Sequence, residues 1–323
     1  MDKAKKIKEI IVGGHLDGER LDRVLQSMTA QSRKKVKTLL DQGLVFVNSR
    51  KVVIASWEIH KGDRLLIEKE GEASVPDVDK YYLKVVHEDA DLIVAEKEAG
   101  IACEKSAISS RPTMVAILNA YLKRKYPHLK HHYLGLVHRL DQETSGLMIY
   151  TKTREGNRIT DQFKRHTIKR KYLAVVEGRI DGEGGRIDGY LQKSQMLSGG
   201  KKVKLSTPES GRPAITLFNV KERYSGATLI EISLNTGRTH QIRVHMASIG
   251  HPVIGDKIYG STSSSREDPA LPVRDGRVPR FERQALHASF LGFHHPVSGE
   301  KKEFQSEIPR DFRRFVDRLR LKS

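Results

Sequence analysis

The residues best suited to chemistry stand together in His138-Arg139-Leu140-Asp141-Gln142-Glu143-Thr144-Ser145-Gly146, which runs directly into the apolar stretch Leu147-Met148-Ile149-Tyr150. The apolar stretch reads as a buried strand. Its polar leader then reads as a loop at the mouth of a core. This order sets a carboxylate, Asp141, near a guanidinium, Arg139, at the edge of an apolar interior. A carboxylate so placed can act as a nucleophile. Its ordinary pKa of about 3.9 leaves it ionised at neutral pH unless burial raises it. Taken alone, the stretch also admits a structural part, in which Asp141 caps a turn and Arg139 is a surface charge.

Two later stretches narrow the choice: Lys171-Tyr172-Leu173-Ala174, and Thr236-Gly237-Arg238-Thr239-His240-Gln241-Ile242-Arg243-Val244-His245. With His138 to Asp141 and Thr144 to Gly146 ahead of them, these motifs resemble the RluA family of pseudouridine synthases. The resemblance covers roughly residues 80 to 310, and three ordered motifs are far more specific than one. Gly255-Asp256-Lys257-Ile258-Tyr259-Gly260 and Arg283-Gln284-Ala285-Leu286-His287-Ala288 also resemble family segments. The family usually carries Lys-Pro-x-Gly after an early strand. Here the stretch is Lys97-Glu98-Ala99-Gly100, and without the proline the turn is expected to be less rigid.

The resemblance implies a reaction that breaks the N-glycosidic bond of a uridine, turns the base and rejoins it through carbon. No redox change occurs, and no dinucleotide fingerprint is present, so no cofactor is expected. By the same resemblance Asp141 is the nucleophile, Arg243 pairs with it, and Tyr172 lies in the site. Tyr172 offers a flat ring against uracil and a hydroxyl for proton transfer; otherwise it is a strand tyrosine in the core. Arg139, planar and charged, suits replacing the stack lost when a base is extruded. Arg238 and His240 are expected to shape the turn or touch RNA and not to be catalytic.

Composition sets the bounds. The chain has 323 residues, so two domains are expected. Hydrophobic residues make up 37%, enough for a core. No run approaches the ~18 apolar residues of a membrane helix, and the charged N-terminus is not expected to act as a secretory signal. The single cysteine, Cys103, excludes an intramolecular disulfide and a cysteine zinc cluster, and fits a reducing cytoplasm. His128, His131 and His132 lack an acid or cysteine at ligand spacing, so no metal is expected. The net charge of +18 is spread over many segments, which suits an extended polyanion better than a membrane surface. The expected partner is structured RNA bound by a monomer. Large-subunit ribosomal RNA leads, because S4-bearing members of the family share this layout. Transfer RNA stays open, as does a non-catalytic RNA-binding or RNA-remodelling protein on the same fold.

The expected fold class is α+β. Residues 15–70 form a small S4-like RNA-binding domain of helices plus a hairpin, and 71–80 a linker. Residues 81–323 form the catalytic domain, a mixed, mainly antiparallel β-sheet with peripheral helices. Lys8 to Gly14 reads as a short edge strand ended by glycines. One helix starts at about Gly18. A second runs from about Ser32, an N-cap, to Gly43, with Val36, Leu39 and Leu40 inward and Arg33, Lys34, Lys35 and Lys37 as candidate RNA contacts. Pro112 to Lys125 reads as a helix, and Thr153 is expected to cap another that reaches His166. Residues 194–213, rich in glycine, serine and lysine, read as a mobile basic loop that either folds over a polyanion, with Lys201 and Lys202 as candidate RNA contacts, or is a solvated connection. Residues 261–279 read as a loop. The last helix docks through Phe312, Phe315, Val316 and Leu319.

Overall fold

The computed structural model describes residues 8–41, 43–67, 81, 83–104, 112–195, 201–260 and 278–321. The expected linker at 71–80 and residues 261–277 of the expected loop lie outside these. The chain divides into two units, Met1–Val78 with Glu104–Pro112, and Asp79–Cys103 with Thr113–Ser323.

The first unit follows its hydrophobic pattern. Its strands and helices are β1 (Lys8–Ile11), β2 (Glu19–Arg20), α1 (Leu21–Thr29), α2 (Arg33–Asp41), β3 (Val45–Val47), β4 (Arg50–Lys51), β5 (Glu58–Ile59) and β6 (Arg64–Ile67). The order β1-β6-β3-β4 makes a four-stranded sheet with β1 at an edge, and β2 pairs β5. That pairing takes up Glu19 and Arg20, so the first helix begins at Leu21 and not at Gly18. Ser32 Oγ accepts from Lys35 N at 3.3 Å to open α2. Gly43, at φ +65°, ends it. Val36, Leu39 and Leu40 join Leu21, Val24, Leu25, Val45, Ile59 and Leu65 in one core. Arg33, Lys34 and Lys37 are exposed, and Lys35 is partly so.

The second unit is built on an eleven-stranded sheet. Its elements are β7 (Lys84–Glu88), β8 (Leu92–Lys97), α3 (Met114–Lys125), β9 (Gly135–Leu136), β10 (Ser145–Thr151), α4 (Ile159–Lys164), β11 (Lys169–Glu177), β12 (Gly184–Gln195), β13 (Lys201–Ser206), β14 (Arg212–Tyr224), β15 (Ala227–Leu234), α5 (Gln241–Ser248), β16 (Leu286–His294), β17 (Lys301–Gln305) and α6 (Arg310–Arg320). The main path is β13-β12-β14-β15-β11-β16-β10-β8-β7, with β17 on β16 and β9 on β10. Among the described strands only β10 and β16 pair in parallel. Strand β10 is buried on both faces, as its unbroken apolar sequence requires. No described helix is long and apolar enough to cross a membrane.

Two expectations need correction. Thr153 accepts from Gly156 N at 3.0 Å within a turn, but it caps no helix: the 3-10 turn Gly156–Arg158 is entered through Glu155, and α4 begins only at Ile159. Gly156 lies against the Asp91 carbonyl, where a Cβ would sit 2.7 Å from the oxygen. This close approach calls for glycine. The second correction is the basic loop at 194–213. Residues on both sides of 196–200 are strands, and β12 pairs β13 in register from Tyr190↔Ser206 to Gln195↔Lys201. The alternation in Lys202-Val203-Lys204 carries the signal: Val203 is buried with Leu191, Ala214 and Val244, while Lys204 is exposed.

Candidate active site

The site begins at the mouth of β10. Gly146 has φ +118°, and a Cβ there would meet the Ala288 carbonyl oxygen at 2.2 Å. Only glycine lets β10 approach β16 this closely. The loop before it is held from several sides. Thr144 N donates to the Asp141 carbonyl at 3.0 Å, closing a turn. Gln284 Nε2 bonds the Thr144 hydroxyl. Arg283 donates to the Glu143 carbonyl at 3.2 Å.

Lys97 is the inner brace. It is 1% exposed, and its ammonium donates to the carbonyls of Glu98, Ile101 and Gln142 at 2.9, 2.8 and 2.8 Å. Burial pushes its pKa down to about 8. Gly100, at φ +86°, donates to the same Gln142 carbonyl at 2.9 Å. The turn that lacks the family's proline is thus pinned by side-chain and backbone bonds.

Arg243 enters from α5. Gln241 sets the start of that helix: its side-chain oxygen accepts from Thr236 Oγ1 and Arg238 N, and its amide donates to Ile215 O and Thr216 Oγ1. Arg243 Nη1 donates to Asp141 Oδ2 at 2.8 Å. Its Nε and Nη2 grip Asp256 at 2.6 and 2.8 Å. The Asp256 side chain is fully buried and also accepts from the amides of Ile258 and Tyr259. Burial works against charge on Asp256, but Arg243 and the two amides outweigh it and hold the carboxyl below its usual range. Burial likewise opposes the Arg243 charge, and the two carboxylates more than offset it. The Tyr259 ring lies beneath the guanidinium, 5.1 Å away.

Tyr172 sits on β11 immediately after a register shift at Lys171/Tyr172. A bulge of this kind re-aims a side chain, and Tyr172 lines the same cleft as Asp141 and Arg243. It is buried, which raises the pKa of its hydroxyl. Leu140, Leu234 and Leu286 supply apolar walls. Arg139 stands exposed at the rim. Arg238 donates to the Pro213 carbonyl at 3.2 Å, which fits the turn-shaping part expected of it. His240 caps α5 in left-handed backbone, with Nε2 3.9 Å from Asp141 Oδ1.

The cleft therefore gathers Asp141, Tyr172, Arg243, Arg139, Arg238 and His240, which are far apart in sequence. Lys202, on β13, lies over the Tyr259 ring at 5.4 Å, and Lys201 begins the same strand. Arg33, Lys34, Lys35 and Lys37 belong to the first unit. A larger cavity of about 550 Å³ is lined by Lys97, Ser145, His287 and Arg283 among others, and holds none of Asp141, Tyr172 and Arg243. Sequence reasoning missed Asp256, Tyr259 and Lys97 as functional positions, although all three stand in segments it had singled out.

Among the described residues, one group has the donor set of a metal site, Asp89, Asp91 and His295. Its atoms are committed elsewhere. Asp89 Oδ1 accepts from the amides of Asp91 and Leu92, and Asp91 Oδ1 accepts from Thr153. His295 Nδ1 accepts from the amides of Val297 and Ser298, so Nε2 carries the proton and faces Asp89 Oδ2 at 3.2 Å. His87 Nε2, at 2.8 Å, is the hydrogen-bond partner of Asp89 Oδ2, so the carboxylates are engaged by the protein itself.

Residues 91–248 match the RNA pseudouridylate synthase family, and residues 19–65 match the S4 domain. The chain is 33% identical over 311 residues to ribosomal large subunit pseudouridine synthase D of Haemophilus influenzae, spanning 94% of this chain and 92% of that protein. It is 33% identical over 313 residues to the protein of the same name in Zymomonas mobilis, spanning 94% and 95%. The structure of human RNA pseudouridylate synthase domain containing 4 superposes with a TM-score of 0.58 at 22% identity, covering 73% of this chain and 93% of that one, and shares the fold.

Proposed function

The chain belongs to the RNA pseudouridylate synthase family, and on that premise we propose that it isomerises specific uridines of large-subunit ribosomal RNA, with Asp141 as nucleophile. The observation that carries this reading is the Asp141–Arg243 bond at 2.8 Å, beside Tyr172 in a half-enclosed cleft. The relatives that match over nearly the whole chain bear the name of large-subunit synthases, which favours ribosomal over transfer RNA.

Each group has a part in the reaction. Extruding a uridine from its stack costs a few kcal/mol. Arg139, exposed at the rim, is placed to stack in the gap or to hold phosphate. Tyr172 presents its ring to the uracil from the apolar wall. Arg243 aims Asp141, and Asp256 fixes Arg243 in turn. Arg33, Lys34, Lys35 and Lys37 on α2, Lys201 and Lys202 on β13, and Arg238 and His240 at the turn make the RNA-facing set. The isomerisation is redox-neutral and calls for no cofactor. The protein works as a monomer in the cytoplasm.

The test is turnover on a large-subunit ribosomal RNA transcript, read by counting pseudouridines. Wild type forms them. Asp141→Asn, nearly isosteric and a poor nucleophile, keeps its fold and RNA affinity and forms none. Near wild-type turnover by this variant refutes the assignment of Asp141.

A further inference from the structure

We propose that His240 is the catalytic base that removes the uracil C5 proton, with its Nε2 lone pair facing the cleft. The inference rests on the isomerase reading above. It starts from a count of protons around Tyr259.

A phenol has one proton and two lone pairs. Strand β13 is an edge, and its Val203 turns both backbone groups toward Tyr259. The Val203 N–H donates to the Tyr259 oxygen at 2.9 Å, and the Tyr259 hydroxyl donates to the Val203 carbonyl at 3.0 Å. This uses the proton and one lone pair. The remaining lone pair can only accept, so His240 Nδ1, at 3.0 Å, must be the donor. The reverse assignment leaves the Val203 carbonyl 3.0 Å from an oxygen with no proton to share. Burial raises the Tyr259 pKa, so the phenol keeps its proton.

Neutral imidazole has one N–H. With Nδ1 donating, Nε2 is a bare lone pair. Burial lowers the His240 pKa. Of the charges facing it, Asp141 and Asp256 oppose that shift while Arg243 and Arg139 reinforce it, and the ring is neutral at physiological pH. Nε2 stands 3.9 Å from Asp141 Oδ1, too far for a hydrogen bond. A substrate atom beside the nucleophile is thus within reach of both. His240 adopts φ 54° and ψ 16°, a left-handed conformation that costs a residue with a Cβ about 1–2 kcal/mol. Strain of this kind is concentrated at functional sites.

The reaction needs such a base whichever atom Asp141 attacks. Once C5 is bonded to the ribose, the C5–H bond must break. Its electron pair forms the C5=C6 double bond, and the N1=C6 pair moves onto N1. The proton goes to His240 Nε2, and the imidazolium passes it, directly or through water, to N1. Nothing else is consumed. The other cleft groups are poorer acceptors. Tyr172 keeps its proton because burial raises its pKa, the Thr144 hydroxyl is held by Gln284, and arginines only donate. Asp141 itself is the competitor.

His240→Gly is the informative variant, because glycine adopts the left-handed conformation at no steric cost. We expect it to stay folded while single-turnover pseudouridine formation, measured at saturating RNA so that a lost RNA contact does not limit the rate, falls by about 10²–10⁴-fold. Free imidazole restores part of the rate. Deuterium at uridine C5 slows the variant more than the wild type, because C5–H cleavage has become limiting. A loss under about tenfold overturns the proposal. So does a larger loss that imidazole does not relieve and deuterium does not deepen, which assigns His240 to holding Tyr259 or RNA. Absence of pseudouridine from the wild type in the same assay removes the isomerase reading itself.

Discussion

Arg243 spends its guanidinium on two acids, one buried for good and one facing the cleft. Asp256 takes two nitrogens in the bidentate geometry that guanidinium favours, leaving Nη1 to aim Asp141. The pairing of Asp141 with Arg243, 102 residues apart, was legible only through resemblance. The part of Asp256 was not legible at all: its segment was singled out, but nothing local in Gly255-Asp256-Lys257 says which cation it meets. Replacing Arg243 by Met leaves Asp256 buried without its cation, at a cost of about 3–5 kcal/mol. The replacement also removes the donor that holds Asp141 at 2.8 Å. We therefore expect Arg243→Met to melt at lower temperature, to turn over almost nothing, and to bind RNA nearly as well as wild type. Loss of a phosphate contact looks different, weakening binding and reducing the salt slope by about 1. Normal single-turnover rates at saturating RNA with much weaker binding would make Arg243 a phosphate ligand.

At the level of elements, the readable ones were those whose burial comes from a local repeat. Helix α2 shows Val36, Leu39 and Leu40 inward, and α6 shows Phe312, Phe315, Val316 and Leu319. Strand β10 was readable from its unbroken apolar run. The hairpin of β12 and β13 was not, because its glycine, serine and lysine content outweighs a short alternation, and its buried side rests on residues distant in sequence, Val244 among them. What secures its edge is one hydroxyl. Tyr259 satisfies both the N–H and the C=O that Val203 turns away from β12. Tyr259→Phe removes this cap at a cost of about 1 kcal/mol. The expected result is several-fold faster amide exchange at Val203, with protection in β11 and β15 unchanged. Val203 protection equal to wild type would mean that packing against Leu191 and Val244 alone holds the strand.

At the scale of the whole molecule, a net charge of +18 has to be placed somewhere, and placement decides whether it is merely solvated or binds. Each unit has its own apolar core: Leu21, Leu25, Leu40 and Leu65 in the first, Leu92, Leu147, Ile149 and Phe293 in the second. The division was readable as two pattern types in series, whereas the edge expected at 70 and the linker expected at 71–80 lie outside the described residues. In the first unit the cations of α2 stand opposite its apolar stripe. Arg33, Lys34 and Lys37 are exposed, and none of them has an ion pair among the described residues. Changing all three to Ala leaves Val36, Leu39 and Leu40 in place and raises helix propensity slightly, so the fold should survive. If each cation neutralises one phosphate, the slope of log K against log salt falls by about 2–3. The rate at saturating RNA should not change, because none of the three lines the catalytic cleft. A salt titration of RNA binding, run beside single-turnover kinetics, separates the outcomes. An unchanged slope would show that α2 is a solvated face and that the RNA is held by the second unit alone.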